Sequence, residues 1–203
     1  MSSFISQLVR DRRVVISSNK QTTYGTQLAD AALIHSVRFE GGQYPNIVKG
    51  YYSDVDLVKG HPFPSVRKEI QRDLQFAVSG PMYDFIAGWL GAFLLGKVVT
   101  VGAVSPFTHT FTHDPSTPIM PVTTVYVQDS ADVKTKYRDL AINTLRISGG
   151  IVGPVTYEAE LVGSGSFTDV AMTPPALVDP VFVLNNDADI LLGPQAAPVS
   201  IKS

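Results

Sequence analysis

Pro81–Gly96 constrains the fold of this chain more than any other segment. Met82, Phe85, Ile86, Trp89, Leu90, Phe93 and Leu94 recur at i, i+3, i+4 spacing, which predicts one α-helix over about 81–95. Its opposite face is Ala87, Gly88, Gly91, Ala92 and Leu95, where a helix on a lone domain would carry charge. A helix that is apolar all round is covered on both sides. Each large side chain stabilises by roughly 1.5–3 kcal/mol once buried, so an uncovered face would be costly. The Trp/Phe face is expected to rest on the chain's own sheet. Ala87, Gly88, Gly91 and Ala92 are expected to meet a neighbouring subunit, because small side chains permit close approach. Pro81 suits the first turn and Gly96 reads as the stop. The segment points to assembly rather than catalysis.

The segments around the helix are strand-like. Val66–Val78 places Val66, Ile70, Leu74, Phe76 and Val78 on one parity, broken by Lys68 and Arg72, with a polar or small set opposite. It is long for a strand, so a bulge or an extended hairpin is expected. Val155–Val162 alternates cleanly, and Val14–Ile16, Leu33–Phe39, Ile47–Tyr52, Val98–Val104, Phe107–Thr112, Val122–Gln128 and Lys136–Ser148 read as further strands. Ser164–Asp179 reads as loop, and Val181–Leu184 and Ile190–Leu192 are short apolar runs. Many strands and one helix predict a mainly β fold, an antiparallel sandwich or barrel with one flanking α-helix and extended terminal arms. The expected division is an N-terminal arm over 1–30, a sandwich domain over 31–167 with a long Gly/Pro-rich loop at 41–65, and a C-terminal arm over 168–203.

Charge and composition exclude several classes. The chain has 203 residues, net charge −2 and no cysteine. Disulfide frameworks, thiolate metal sites and cysteine nucleophiles are therefore ruled out. The net charge supplies no general drive toward nucleic acid or anionic lipid. Phe85–Val104 carries only Lys97, but Gly96 divides it into a helical part and a Val-rich, strand-prone part, so no membrane insertion is expected.

Catalytic patterns are thin. Gly91–Lys97 has P-loop spacing, but Val98 stands where a hydroxyl must meet magnesium, and the glycines lie within or at the end of a helix rather than before it. His109 and His113 fall on a strand-prone run, where four residues span about 13 Å, too far for one metal ion. Glu158 and Glu160 share one strand face about 7 Å apart, near a glycosidase pair's separation, yet nothing drives their acidities apart. No catalytic, metal or cofactor site is expected, and the chain reads as no enzyme.

Several segments in order resemble the tail tube proteins of long-tailed bacteriophages. They are Lys20–Gln21–Thr22–Thr23–Tyr24–Gly25–Thr26, the strand ending at Gly80 followed by the helix of Met82–Leu95, Phe107–Thr108–His109–Thr110–Phe111, and Asn143–Ser148 followed by Val155–Gly163. The resemblance covers roughly residues 20–167. It implies a structural virion protein, six copies of which form a ring. Rings stack into a hollow tube, and the joined sheets form one barrel through which DNA passes into the host without specific binding. It also implies contacts with tape measure, terminator and tip proteins, residence in the virion tail, and assembly in host cytoplasm. The 41–65 loop could reach the next ring. The expected channel lining is Glu69, Gln71, Asp73, Gln75, Glu158 and Glu160, with Arg67 a discordant cation unless it pairs with Glu69. The same residues also fit a plain solvent face. A carbohydrate- or receptor-binding sandwich is the alternative function.

Overall fold

A computed structural model describes residues 12–37, 41, 43–53, 67–102, 108–113, 120–130, 132–150, 153–177, 190–192 and 199–201. In chain order these residues form β1 (Arg13–Ile16), a 3-10 turn (Asp30–Ala32), β2 (His35–Val37), β3 (Asn46–Ser53) and β4 (Arg67–Pro81). Helix α1 (Asp84–Leu95) follows, then β5 (Gly96–Val101), β6 (Thr108–His113), β7 (Thr123–Gln128), β8 (Lys134–Ser148), β9 (Thr156–Gly163), β10 (Phe167–Asp169), β11 (Ile190–Leu192) and β12 (Val199–Ile201). One antiparallel path runs β2-β1-β7-β8-β9-β4-β3, with β10 on the free side of β8. Two separate hairpins, β5–β6 and β11–β12, stand outside it.

The fold turns on β8. Its first part, Lys134–Leu140, pairs with β7, while Ala141–Ser148 pairs with β9. Just before the changeover Asp139 takes φ 62°, a left-handed conformation that Asp tolerates better than most residues. A strand that bends in this way passes from one sheet to the other, which closes a sandwich. The core lies between the layers. Leu74, Phe76 and Val78 of β4 and Tyr157, Ala159 and Leu161 of β9 meet Val14, Ile16, Val125 and Val127, with Ile86, Trp89, Leu90 and Phe93 of α1 in the same cluster. Burial pushes the Tyr157 phenol well above its ordinary range.

The helix is shorter than its sequence signal. Pro81 is still a strand residue opposite Thr156, and the Met82 N–H donates to the Val155 carbonyl at 2.7 Å. Tyr83 is extended, and Asp84 opens α1 by accepting from the Phe85 N–H at 2.7 Å. Gly96 ends it at φ 90°, the left-handed cap that glycine adopts at no steric cost. No described helix is long and apolar enough to cross a membrane.

The arms are narrower than expected. β1 is an interior strand between β2 and β7, and Val14, Val15 and Ile16 are buried, so residues 13–30 belong to the body rather than to an arm. At the other end Phe167–Asp169 pairs with β8, and Val170 and Met172 pack on the small cluster of Val15, Leu33 and Tyr126. These segments carry too little alternation of their own; their partners, β7 and β8, are distant in sequence. The expected 41–65 loop contains the eight-residue strand β3, and 54–66 lies outside the described residues, as does Val181–Leu184.

Candidate functional site

The sheet β8–β9–β4–β3 presents one face to the core and one outward. Opposed residues in an antiparallel ladder share a face, so the register assigns the outward set. Gln75 lies opposite Val162 and Asn46, Ala77 opposite Glu160, and Ser79 opposite Glu158. Across β9, Glu160 meets Thr144 and Glu158 meets Arg146. Toward the sheet edge, Asp73 and Gln71 continue the face opposite Val48 and Gly50, and the Gln71 side-chain amide donates to Asp73. Gln71, Asp73, Gln75, Glu158 and Glu160 thus share one exposed surface, which also carries the exposed Val48, Tyr52 and Val162.

Glu69 does not share it. The register slips between Gly50 and Tyr51, which leaves Ile70 without a partner and sets Glu69 opposite Tyr51. One extra residue in a strand inverts the faces beyond it. Glu69 instead accepts from Arg72 Nε at 2.6 Å, with Lys49 Nζ 3.8 Å away, and the Arg72 hydrogen bond holds its carboxyl below the usual range. The side chain of Arg67, the expected partner of Glu69, lies outside the described residues.

The small-residue face of α1 is also divided differently. Ala87 and Ala92 pack against the chain's own core. A Cβ on Gly91 would stand 2.9 Å from the Phe111 ring of β6, so the second cover expected from a neighbouring subunit is supplied there by the chain's own hairpin. Gly88 has nothing within 4 Å of a built Cβ. The sequence gives no sign that the strands following the helix fold back over it. Phe111 shares one face of the hairpin with its partner Val98; Lys97, Val99 and Val101 lie on the other with Thr110 and Thr112. Val99 is 45% and Val101 63% exposed.

Sequence reasoning missed a buried polar hub. Asp139 is only 4% exposed, yet its carboxylate accepts from Gln21 Nε2 at 2.9 Å, the Gly25 N–H at 2.7 Å and Ser164 Oγ at 2.9 Å. The Gln21 amide oxygen accepts in return from the Asp139 N–H at 2.9 Å and from Thr124 Oγ1 at 3.0 Å. Nearby, the buried Lys136 ammonium donates to the Leu28 carbonyl at 3.0 Å and to Asp30. An aspartate inside a strand-like run was the available signal, since Asp is depleted in strands.

Gly91 lies in α1 and Gly96 caps its end, so the P-loop spacing builds no phosphate cradle ahead of a helix. His109 accepts from or donates to Thr100 Oγ1 at 2.9 Å across the hairpin. No group of three His, Cys, Asp or Glu could hold a metal among the described residues.

The sequence model of a family described as "Phage tail tube protein" matches residues 11–203. Direct comparison with curated protein sequences finds no match. Among solved structures, the chain is similar to the tail of an empty gene transfer agent particle refined with C6 symmetry (13% identity, 80% of this chain and 97% of that chain, TM-score 0.42). It is similar also to a native gene transfer agent virion chain (13%, 80% and 97%, TM-score 0.41) and to the SPP1 tail tube (14%, 83% and 79%, TM-score 0.37).

Proposed function

This chain belongs to the phage tail tube protein family, and from that premise we propose that its outward polar sheet lines the channel of a ring of six copies. It is a structural protein of the viral tail, not one whose family points to catalysis. The observation that carries the reading is the four-stranded sheet β8–β9–β4–β3. Among the described residues its two end strands, β3 and Ala141–Ser148 of β8, each lack a second partner strand. Unpaired edges of this length invite pairing with another chain. Head-to-tail pairing of β3 with the next copy's β8 satisfies both edges and closes as a ring.

The dimensions agree. Six four-stranded sheets give about 24 strands; at about 4.8 Å spacing and a tilt near 40°, the barrel is about 48 Å across between backbones. Subtracting inward side chains still leaves room for a DNA duplex. Asp73, Glu158 and Glu160 against Arg146 and, beyond the slip, Lys68 leave the lining net acidic. Phosphates gain nothing from such a wall, whereas basic walls bind them by releasing counterions. Gly88 and the outward valines of β5–β6 then remain for a neighbouring copy. Contacts with tape measure, terminator and tip proteins and assembly in host cytoplasm complete the proposal.

Electron microscopy of purified protein at rising concentration tests the ring: rings or tubes are expected, and monomers at every concentration would defeat it. Exchanging Glu158 and Glu160 for Lys tests the lining. Tubes should still form but retain duplex DNA at low salt and release it as salt rises. Tubes of the double variant that ignore DNA would put this face elsewhere.

A further inference from the structure

The segment from Ser17 to Gly25 is a strap tied at both ends. At its far end the Asp139 hub holds Gln21 and Gly25, the Gln21 N–H donates to the Val122 carbonyl at 2.8 Å, and Arg138 Nη1 donates to the Gly25 carbonyl at 2.7 Å. At its near end the strap meets α1 twice. Trp89 Nε1 donates to the Ser17 carbonyl at 2.8 Å, and Lys20 Nζ donates to the Gly96 carbonyl. The last turn of α1 has no basic residue of its own, so Lys20 supplies the cation that a helix C-terminus favours.

Gly96 is also where the β5–β6 hairpin begins, in a left-handed conformation that serves as a pivot. Among the described residues the hairpin has no strand partner beyond itself. A two-stranded ribbon is marginal in water, so its direction depends on its attachments: the Phe111 ring over Gly91, and Lys20 on the Gly96 carbonyl. We infer that Asp139 is a positioning residue for assembly: it holds the strap, the strap holds Lys20, and Lys20 fixes the base from which the hairpin projects its valines toward a neighbouring copy. This deepens the tube reading and rests on it for the neighbour, but not for the coupling inside one chain.

Three variants separate the parts. Asp139→Gly keeps the left-handed backbone and removes the carboxylate, so the donors on Gln21, Gly25 and Ser164 lose their acceptor. Asp139→Asn keeps both the backbone tolerance and an acceptor for Gln21 and Gly25. Lys20→Met leaves the hub intact, and because Lys20 is exposed it tests the near end in a folded protein. Two readouts apply: amide exchange across 96–101 and 108–113 in unassembled protein, and the concentration at which rings appear. Asp139→Gly and Lys20→Met are expected to speed hairpin exchange about tenfold and to raise the onset concentration several-fold, with Asp139→Asn near wild type. Faster exchange confined to 17–25 and 134–142, with hairpin and onset unchanged, would reduce Asp139 to local packing and overturn the inference. Unchanged hairpin exchange in Lys20→Met would overturn it as well. A wild type that never assembles while its hairpin still responds would sink the tube reading and leave the coupling standing.

Discussion

β4 and β5 flank the same helix and live opposite lives. β4 is hydrogen bonded to β3 and β9, and buries Leu74, Phe76 and Val78. Among the described residues β5 has β6 alone, and Val98, Val99 and Val101 stay exposed. Valine is as good a strand former in one as in the other, so propensity does not distinguish them; the number of partners does. The body's stability resides in the sheet that leads into α1. The ribbon that leaves it contributes little to folding and holds apolar surface in reserve. A subunit that must fold alone and then assemble benefits from that division, because assembly contacts then form without reopening the core.

The comparison breaks most easily at the level of single side chains. Leu74→Ala removes a fully buried residue from β4 and should cost about 2–5 kcal/mol in denaturant unfolding. Val101→Ala, at 63% exposure, should fall within about 0.5 kcal/mol of wild type and act on ring formation instead. Similar losses for the two would mean that β5 is part of the folding core after all.

Gly91 sharpens the contrast, since it is where helix and ribbon touch. A leucine there must displace the Phe111 ring, which lies 2.9 Å from a built Cβ; overpacking costs about 1–3 kcal/mol. Replacing glycine within a helix returns up to about 1 kcal/mol, so the global melting temperature should move little. The expected signature is faster amide exchange across β5–β6 with the body unchanged. Undisturbed hairpin exchange in Gly91→Leu would show that the ring yields, and that the two regions are less coupled than their contact implies.

The same contrast explains what was legible in the sequence. The helix, its stop at Gly96 and the clean alternation of β9 are local signals, and the structure carries them. The polar face of Gln71, Asp73 and Gln75 was readable by parity, but parity fails at Ile70, where the register with β3 slips and Glu69 changes sides. The sequence points the cover over Gly91 to another subunit, because nothing in Phe107–Thr112 says which surface Phe111 will meet. Asp139 and Gln21 were missed for the same reason: their bond joins residues 118 apart in the chain. Pairings chosen by tertiary contact leave no periodic trace.

The smallest expected effect lies at β2, at one end of the sheet path, where His35 stacks on Phe85 of α1 with ring centroids 3.8 Å apart. Here the helix is gripped by a side chain that titrates. Burial holds the His35 pKa below the ordinary histidine value. Asp84, in the first turn of α1, is the acidic residue beside this contact in sequence, and it is exposed. With the folded pKa lowered, the unfolded chain binds the proton more readily. Stability is then complete above the unfolded value of about 6.5 and declines as pH falls through the folded pKa. Part of the ring is open to water, which limits the effect to a melting shift on the order of 1–2 °C between pH 7.5 and 5.5. His35→Phe keeps the stack and abolishes the titration, so it should remove that portion of the slope. An unchanged slope in His35→Phe would assign the pH dependence to other groups, and would leave the grip of β2 on the helix as purely apolar as the packing of β4 beneath it.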